Sequence, residues 1–303
     1  MTARDATRID VGGTTVRITT PERILYPRGR FTKGQMLTYY YEVSAALLRH
    51  IAERPLTLRR FPEGVEGNTW YQTRCGSNRP EFVDTSVLTV PGGEPQDYCV
   101  VNDLAGLLWA ANLSAIELHP LLMRTNDVDT PTMMMFDLDP GGGAGLIECS
   151  RVALLLHEAL AGVGLRSFVK TSGSLGLHVA VPLNMRATFG ETKSFARVVA
   201  KALAVSTPTL VVDRQAKGVR AGKVLVDWLQ NDWRRSTVAP YSLRAGPFPT
   251  VSMPLDWGEI HAAVEKRSER DLWFGPRRAL ERLDRDGDPF ADVQTLRQQL
   301  PAG

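Results

Sequence analysis

One stretch limits the folds open to this chain more than any other. Met133-Met134-Met135-Phe136 runs directly into Asp137-Leu138-Asp139, and Pro140-Gly141-Gly142-Gly143 stops it. An apolar run closed by Pro and Gly reads as a buried strand ending at the edge of a sheet. Side chains alternate along a strand, which puts Asp137 and Asp139 on one side, roughly 6–7 Å apart over two residues' rise. Two carboxylates held there repel each other and need a proton or a metal ion between them. Hard divalent cations with oxygen ligands suit that arrangement, particularly when a phosphate supplies the remaining oxygens. Asp-x-Asp before a Pro-Gly turn also serves as plain turn chemistry, each carboxylate capping a backbone N–H. On this stretch alone the two readings balance.

Two further acidic clusters carry less. Asp127-Val128-Asp129 precedes Pro131 with no apolar run to set its direction, and reads as a loop. Asp284-Arg285-Asp286-Gly287-Asp288 opens like a calcium loop, but Thr295 at the twelfth position cannot supply the bidentate carboxylate. Both are expected to be ordinary surface features.

At 303 residues the chain has room for one large or two modest domains. No apolar run approaches the ~20 residues that span a bilayer, and Met1 to Gly13 lacks the apolar centre of a signal peptide. Cys75, Cys99 and Cys149 are odd in number and widely spaced, with no Cys-x-x-Cys pair, so neither a disulfide framework nor a cysteine zinc site is expected. That pattern fits a cytoplasmic protein. The net charge of +3 is compatible with a polyanionic partner without demanding one.

In order, Val16 to Ile18 is a strand entered through Gly12-Gly13, and Thr19-Thr20-Pro21-Glu22 looks like a helix start. Arg23, Arg28, Arg30 and Lys33 crowd a loop around Tyr26-Pro27. A helix follows from Lys33 to about Ile51, because Met36, Tyr40, Val43, Leu47 and Ile51 recur at helical steps. Trp70-Tyr71 beside Arg59-Arg60 has the makings of a base-stacking platform, although buried aromatics are commoner and a core position is favoured. Val87–Val90 and Tyr98–Val101 flank Pro91-Gly92-Gly93-Glu94-Pro95 as a hairpin; Leu104–Leu113 reads as a helix. Ile116-Glu117-Leu118-His119 alternates like a strand, with His119 a satisfied structural group at its end.

Beyond the aspartates come a helix from Val152 to Val163 and a strand from Ser167 to Lys170. The Ser/Gly loop Thr171-Ser172-Gly173-Ser174-Leu175-Gly176 then leads into a strand from Leu177 to Leu183 that starts with His178. Small residues let backbone N–H groups approach an anion, but no Walker Gly-Lys-Ser/Thr follows. A helix around Thr192–Leu203 should bury Phe195, Val198, Val199 and Leu203, with Lys193, Arg197 and Lys201 on its solvated side. The basic loop Asp213–Gly222 precedes Lys223-Val224-Leu225-Val226-Asp227-Trp228, a second apolar strand delivering an aspartate. From Trp257 onward the chain looks helical and charged. With no internal repeat or low-complexity linker, one compact unit is expected: an N-terminal lobe to residue 130, a core over 131–250 and a helical cap over 251–303.

Strand-Asp-x-Asp, a Ser/Gly loop ending in His, and a third strand-borne Asp, in that order, resemble the archaeo-eukaryotic primase superfamily, and within it the polymerase domain of bacterial ligase D and its stand-alone relatives. Ile24-Leu25-Tyr26-Pro27, Thr32-Lys33, Arg59-Arg60-Phe61-Pro62, Phe136-Asp137-Leu138-Asp139-Pro140, Thr171-Ser172-Gly173-Ser174, Gly176-Leu177-His178, Arg220-Ala221-Gly222-Lys223, Val226-Asp227-Trp228 with Gln230-Asn231, and Ala239-Pro240-Tyr241-Ser242-Leu243-Arg244 carry the likeness over most of the chain. It implies an α/β (α+β) primase-polymerase fold, with a mixed, largely antiparallel catalytic sheet like an RNA-recognition motif, flanked by helices. It also implies template-directed nucleotidyl transfer. Asp137, Asp139 and Asp227 match the family's metal triad, holding two divalent ions, Mn2+ or Mg2+. His119, Ser172, His178 and Arg244 match contacts to the incoming nucleoside triphosphate, with Arg220 and Gln230 nearby. Arg23 and Lys33 match a pair of lysines gripping a 5′-phosphate. Trp70 and Tyr71, beside Arg59, match template-facing aromatics. The tip at Pro91–Pro95 and the Asp213–Gly222 loop match surface loops that hold DNA.

Three positions depart from the family pattern: Leu175 and Thr73 stand where relatives often carry lysine, and Arg23 replaces lysine with a fork of different geometry. Lys170, Arg214 and Lys217 are possible substitutes for the missing charge. The resemblance further implies gapped or broken DNA, a Ku ring and an ATP-dependent ligase as partners, and a bacterial, nucleoid-associated location. The chain ends without a ligase or nuclease segment, as a stand-alone gap-filling enzyme or a piece of a longer protein would. Primase-like strand initiation, a non-catalytic DNA-end-binding module and a metal-free glycosidase are the competing readings. The last wants sugar-stacking aromatics and few cations, unlike these loops.

Overall fold

The computed structural model describes residues 6–89 and 94–301, apart from the side chain of Lys217. Two sheets organise it. The sheet that carries the aspartates has six strands in the order Val211–Val212, Val224–Asp227, Met133–Pro140, Leu177–Pro182, Phe168–Thr171 and Pro254–Leu255. All neighbours run antiparallel except the first pair, which is parallel. Met134, Phe136 and Leu138 share the main core with Val152, Leu156 and Leu160 of the Leu146–Ala161 helix. Met133 and Met135 instead join Leu122, Phe290 and Val293. The helix thus takes one side of the strand, and the period of two sends Asp137 and Asp139 to the other, as the sequence implied.

The second sheet centres on Pro55–Arg60. It pairs along one edge with Ala115–Pro120 and along the other with Trp70–Gln72 and Pro95–Val100; Asp84–Thr89 completes the sheet. Helices Lys33–Glu42, Ser44–Ile51 and Leu104–Asn112 belong to this lobe. One hydrophobic core runs from Val16 through the aspartate-bearing strands to Ala279.

Several expectations need correction. Thr19-Thr20-Pro21-Glu22 does not start a helix: Thr20 has φ 47° and its carbonyl accepts from Arg23 N–H in a turn. The helix begins at Lys33, as expected, after Thr32, whose hydroxyl and Gln35 form a reciprocal capping box, but it is interrupted at Val43. Asp127–Pro131 is a strand paired with Met123–Arg124, not a loop. In the Phe189–Ser206 helix Val198 is 66 % exposed rather than buried; Ala196 and Ala200 turn inward instead, because small residues let the helix approach its neighbours. Lys193 is not merely solvated but pairs with Asp232 at 2.6 Å. Asp288 is no surface residue either, since its carboxylate accepts from the Tyr241 hydroxyl at 2.6 Å and lies 2.9 Å from His50 Nε2.

Cys75 and Cys99 form a disulfide, against the expectation of none. Their spacing hid it: the strand Pro95–Val100 folds back beside the segment after Trp70–Gln72, bringing the two Cα atoms to 4.8 Å. Trp70 and Tyr71 are 44 % and 55 % exposed, so the favoured core position is wrong. Residues 90–93 of the expected hairpin tip lie outside the described residues; the flanking strands pair as expected. No helix among the described residues is long and apolar enough to cross a membrane.

Candidate active site

Register places four polar side chains in one row. Lys170 lies opposite His178, His178 opposite Asp137, and Asp137 opposite Asp227, across four neighbouring strands. Directly opposed residues share a face of the sheet. Lys170 Nζ is 2.9 Å from His178 Nδ1, and His178 Nε2 is 3.3 Å from Asp137 Oδ1. Lys170 also donates to Ser252 Oγ at 2.6 Å. Burial drives the Lys170 ammonium well below its ordinary range, and burial followed by the neighbouring Lys170 pushes His178 down to about 4. Lys170 is therefore tied to the histidine and does not replace the cation missing at Leu175, which is 61 % exposed on its loop.

Each aspartate is held by donors. Asp139 Oδ2 accepts from Arg220 at 2.5 Å. Asp227 accepts from Leu229 N–H at 2.9 Å, Gln215 at 3.1 Å and Gln230 at 3.2 Å. Burial raises the Asp227 carboxyl above the usual range, and the negative charge of Asp137 adds to the rise. That repulsion is what a divalent cation would relieve. The donor set, three carboxylates on one sheet face with hard oxygens, suits such an ion. As placed, Asp139 is turned onto Arg220, and no three His, Cys, Asp or Glu side chains among the described residues are gathered closely enough to hold a metal.

Two glycines let the surrounding loops close on the strand end. A Cβ on Gly141 would collide with the carbonyl of Arg220, and one on Gly176 with the carbonyl of Leu138. The Arg220 loop is bonded down by Gly222 N–H to Gly142 O at 2.7 Å. Ser172 closes its own loop, accepting from Ser174 and Gly176 N–H at 3.1 and 3.2 Å.

Beside Asp137 opens a cavity of about 460 Å³, lined in part by Tyr71, His119, His178, Gln230 and Arg244. Sequence reasoning brought these residues to the site by resemblance, and the fold gathers them; Ser172 and Arg220 are not in its wall. Thr73, Arg234 and Arg235 line it too, and the two arginines, both exposed, were missed. So was Glu117. Fully buried, its carboxylate accepts from His119 Nε2 at 2.8 Å, Arg244 at 2.9 Å, Ala245 N–H at 3.0 Å and Arg59 at 3.1 Å. A glutamate inside an apolar alternating strand, two residues before His119, was the available signal. Arg59 stacks over Phe61 and Tyr71, 5.1 and 5.2 Å from the ring centres. Arg60 lies over Trp70 at 5.2 Å.

Arg23 and Lys33 sit elsewhere, in a cleft of about 580 Å³ lined also by Arg17, Arg60 and Asn78. Lys33 donates to the Thr19 carbonyl at 2.7 Å, Arg23 to the Pro62 carbonyl, and Arg60 to the Leu113 carbonyl at 3.0 Å. Burial, then the charge of Arg23, lowers Lys33 to about 8.

Residues 32–290 match the family described as LigD, primase-polymerase domain. The multifunctional non-homologous end joining protein LigD of Mycolicibacterium smegmatis is 36% identical over 280 residues, 92% of this chain and 36% of that protein. The corresponding DNA repair protein of Mycobacterium tuberculosis H37Rv is 34% identical over 281 residues, 90% of this chain and 36% of its own length. The chain thus spans about a third of these relatives. A solved structure, the polymerase domain from Mycobacterium tuberculosis ligase D in complex with DNA, superposes with a TM-score of 0.85 at 32% identity, covering 92% of this chain and 98% of that one.

Proposed function

The chain belongs to the LigD primase-polymerase domain family, with the archaeo-eukaryotic primase fold, and on that premise we propose that it adds nucleotides to a primer 3′-hydroxyl opposite a template, at gaps or breaks in DNA. The observation that carries this reading is the row Lys170–His178–Asp137–Asp227, with Asp139 on the same strand, opening onto a cavity walled by Arg244, His119 and an exposed aromatic.

Asp137, Asp139 and Asp227 fit as ligands of divalent cations, manganese or magnesium, which when bound would neutralise charge on the attacking 3′-oxygen and the leaving pyrophosphate. Arg220 competes for Asp139 and is the cation nearest the carboxylates, so it moves from the carboxylate to the triphosphate when the site fills. Arg244 and Gln230 hold the nucleotide from the cavity wall. His178 keeps Asp137 oriented, its ring fixed by Lys170. Ser172 acts indirectly, by shaping the loop that closes on Leu138. Tyr71 and Trp70 offer ring faces to the template and nascent base pair, and Arg59 supports the platform rather than gripping phosphate.

Arg23 and Lys33 bind the 5′-phosphate on the far side of the gap. That cleft favours gap filling over primer-free initiation, which has no downstream 5′-phosphate to recognise. DNA with a 5′-phosphate and nucleoside triphosphates are the partners the site accommodates. The end-joining names of the relatives support a place beside a Ku ring and an ATP-dependent ligase.

The test is extension of a primer on a short gapped duplex with manganese, comparing ribonucleotides with deoxynucleotides and the parent with Asp137→Ala and Asp227→Ala. Template-matched addition that disappears in both variants is expected. A parent that binds gapped DNA but adds nothing would make it a DNA-end-binding module instead.

A further inference from the structure

Glu117 is the one fully buried carboxylate among the described residues, and of the side chains it binds His119 and Arg244 line the proposed substrate cavity while Arg59 backs its aromatic, Tyr71. Arg59 comes from the central strand of the N-terminal sheet, His119 from its neighbour, and Arg244 from the short strand Leu243–Arg244. A carboxylate only accepts, so His119 presents Nε2–H to it. Burial raises the Glu117 carboxyl, but His119, Arg244 and the Ala245 N–H together hold it at about 2. Burial is the chief cause that lowers His119 below its ordinary value.

The same carboxylate reaches the aromatic platform. The Arg59 guanidinium lies over Tyr71 at 5.2 Å, and the His119 ring meets Tyr71 edge to face at 5.6 Å. Tyr71 is thereby held by two side chains that both bond to Glu117.

We propose that Glu117 is a positioning residue that sets the nucleotide cavity and the template-facing aromatic as one unit, through Arg244, His119 and Arg59. The inference rests on the polymerase reading of that cavity. Removing the charge leaves two partly buried guanidiniums facing a neutral side chain, and their repulsion drives them apart. Arg244 leaves the cavity wall, His119 is free to turn, and Tyr71 loses both of its supports.

The test uses the full chain on gapped DNA with nucleoside triphosphate varied. Glu117→Gln keeps the size and removes the charge; Glu117→Asp keeps the charge and withdraws it by one methylene. Nucleotide KM is expected to rise about tenfold or more in the first and less in the second, in each by a larger factor than kcat falls. A variant that only folds less well has fewer active molecules, which lowers kcat and leaves KM alone. If Glu117→Gln does not fold, Glu117→Asp decides the matter. Combined with Tyr71→Ala, the loss should be smaller than the product of the single losses, because both act through one ring. Unchanged KM in both Glu117 variants of an active parent, or fully multiplicative losses with Tyr71→Ala, would overturn the role of Glu117 and leave the polymerase standing. A parent that neither binds nucleoside triphosphate by calorimetry nor extends a primer would remove both.

Discussion

The two clefts of this molecule treat positive charge in opposite ways. Around the aspartates, three arginines lie on carboxylates: Arg220 on Asp139, and Arg59 and Arg244 on Glu117. In the N-terminal cleft, Arg23, Lys33 and Arg60 bond to backbone carbonyls and neutral side chains, and among the described residues no Asp or Glu lines the wall. On the proposed reading, Arg220 must leave Asp139 before that carboxylate can hold a cation. The second carries surplus positive charge and can take a phosphate without giving up an ion pair. On the proposed reading, the first region suits chemistry with charge moving through it and the second suits a fixed anion.

Asp137→Ala should produce the largest separation between them. Extension is expected to fall by about a thousandfold or more, since several kcal/mol of charge stabilisation are lost, while affinity for 5′-phosphorylated gaps stays within about twofold of the parent. Parallel losses in both assays would mean that the clefts are not independent.

Cys99→Ser should affect both at once. The Cys75–Cys99 bridge closes a 24-residue separation and holds the segment between Thr73, in the cavity wall, and Asn78, in the cleft wall. A loop of that size is worth about 3 kcal/mol by chain entropy, to be read as a lower denaturation midpoint that dithiothreitol reproduces in the parent. No change in the midpoint would show that the bridge does not form in solution.

A smaller effect is expected in the cleft alone. Arg23→Ala with Lys33→Ala should remove the preference for a 5′-phosphate over a 5′-hydroxyl, about tenfold for two charge-assisted contacts, and leave extension of an open primer largely intact. Equal losses on both substrates would place these residues in general DNA binding.

The mildest test is pH. Lys33 titrates near 8 in the folded protein, below its ordinary value. It is charged below that pH and neutral above it, so the 5′-phosphate preference should be full at neutral pH and decline as pH rises through about 8. A bound phosphate would shift the decline upward. A ratio that stays flat from about pH 6.5 to about pH 9.5 would assign recognition to the arginines alone.

What could be read from the chain followed from local pattern. The apolar runs ending in Asp137-Leu138-Asp139 and in Asp227 became neighbouring strands, and the period of two put Asp137 and Asp139 on one face. The helix at Thr20-Pro21 and the loop at Asp127–Asp129 were misread because a left-handed turn and a two-stranded ribbon depend on what the segment pairs with, not on its residue types alone. Trp70 and Tyr71 looked like core for the same reason. An aromatic on an edge strand is buried or bare according to what lies over it, and here arginines lie beside it.

Sequence by itself determined which residues carry charge or chemistry, which strands end in aspartate, and the family to which that order belongs. Tertiary structure alone decided who faces whom. It set Lys170 behind His178 and Asp137 across from Asp227, brought Cys75 to Cys99, and closed Arg59, His119 and Arg244 around Glu117. Those pairings span up to 127 residues of chain. Periodicity reports only on neighbours within a few positions, whereas strand register and burial join segments far apart along the chain.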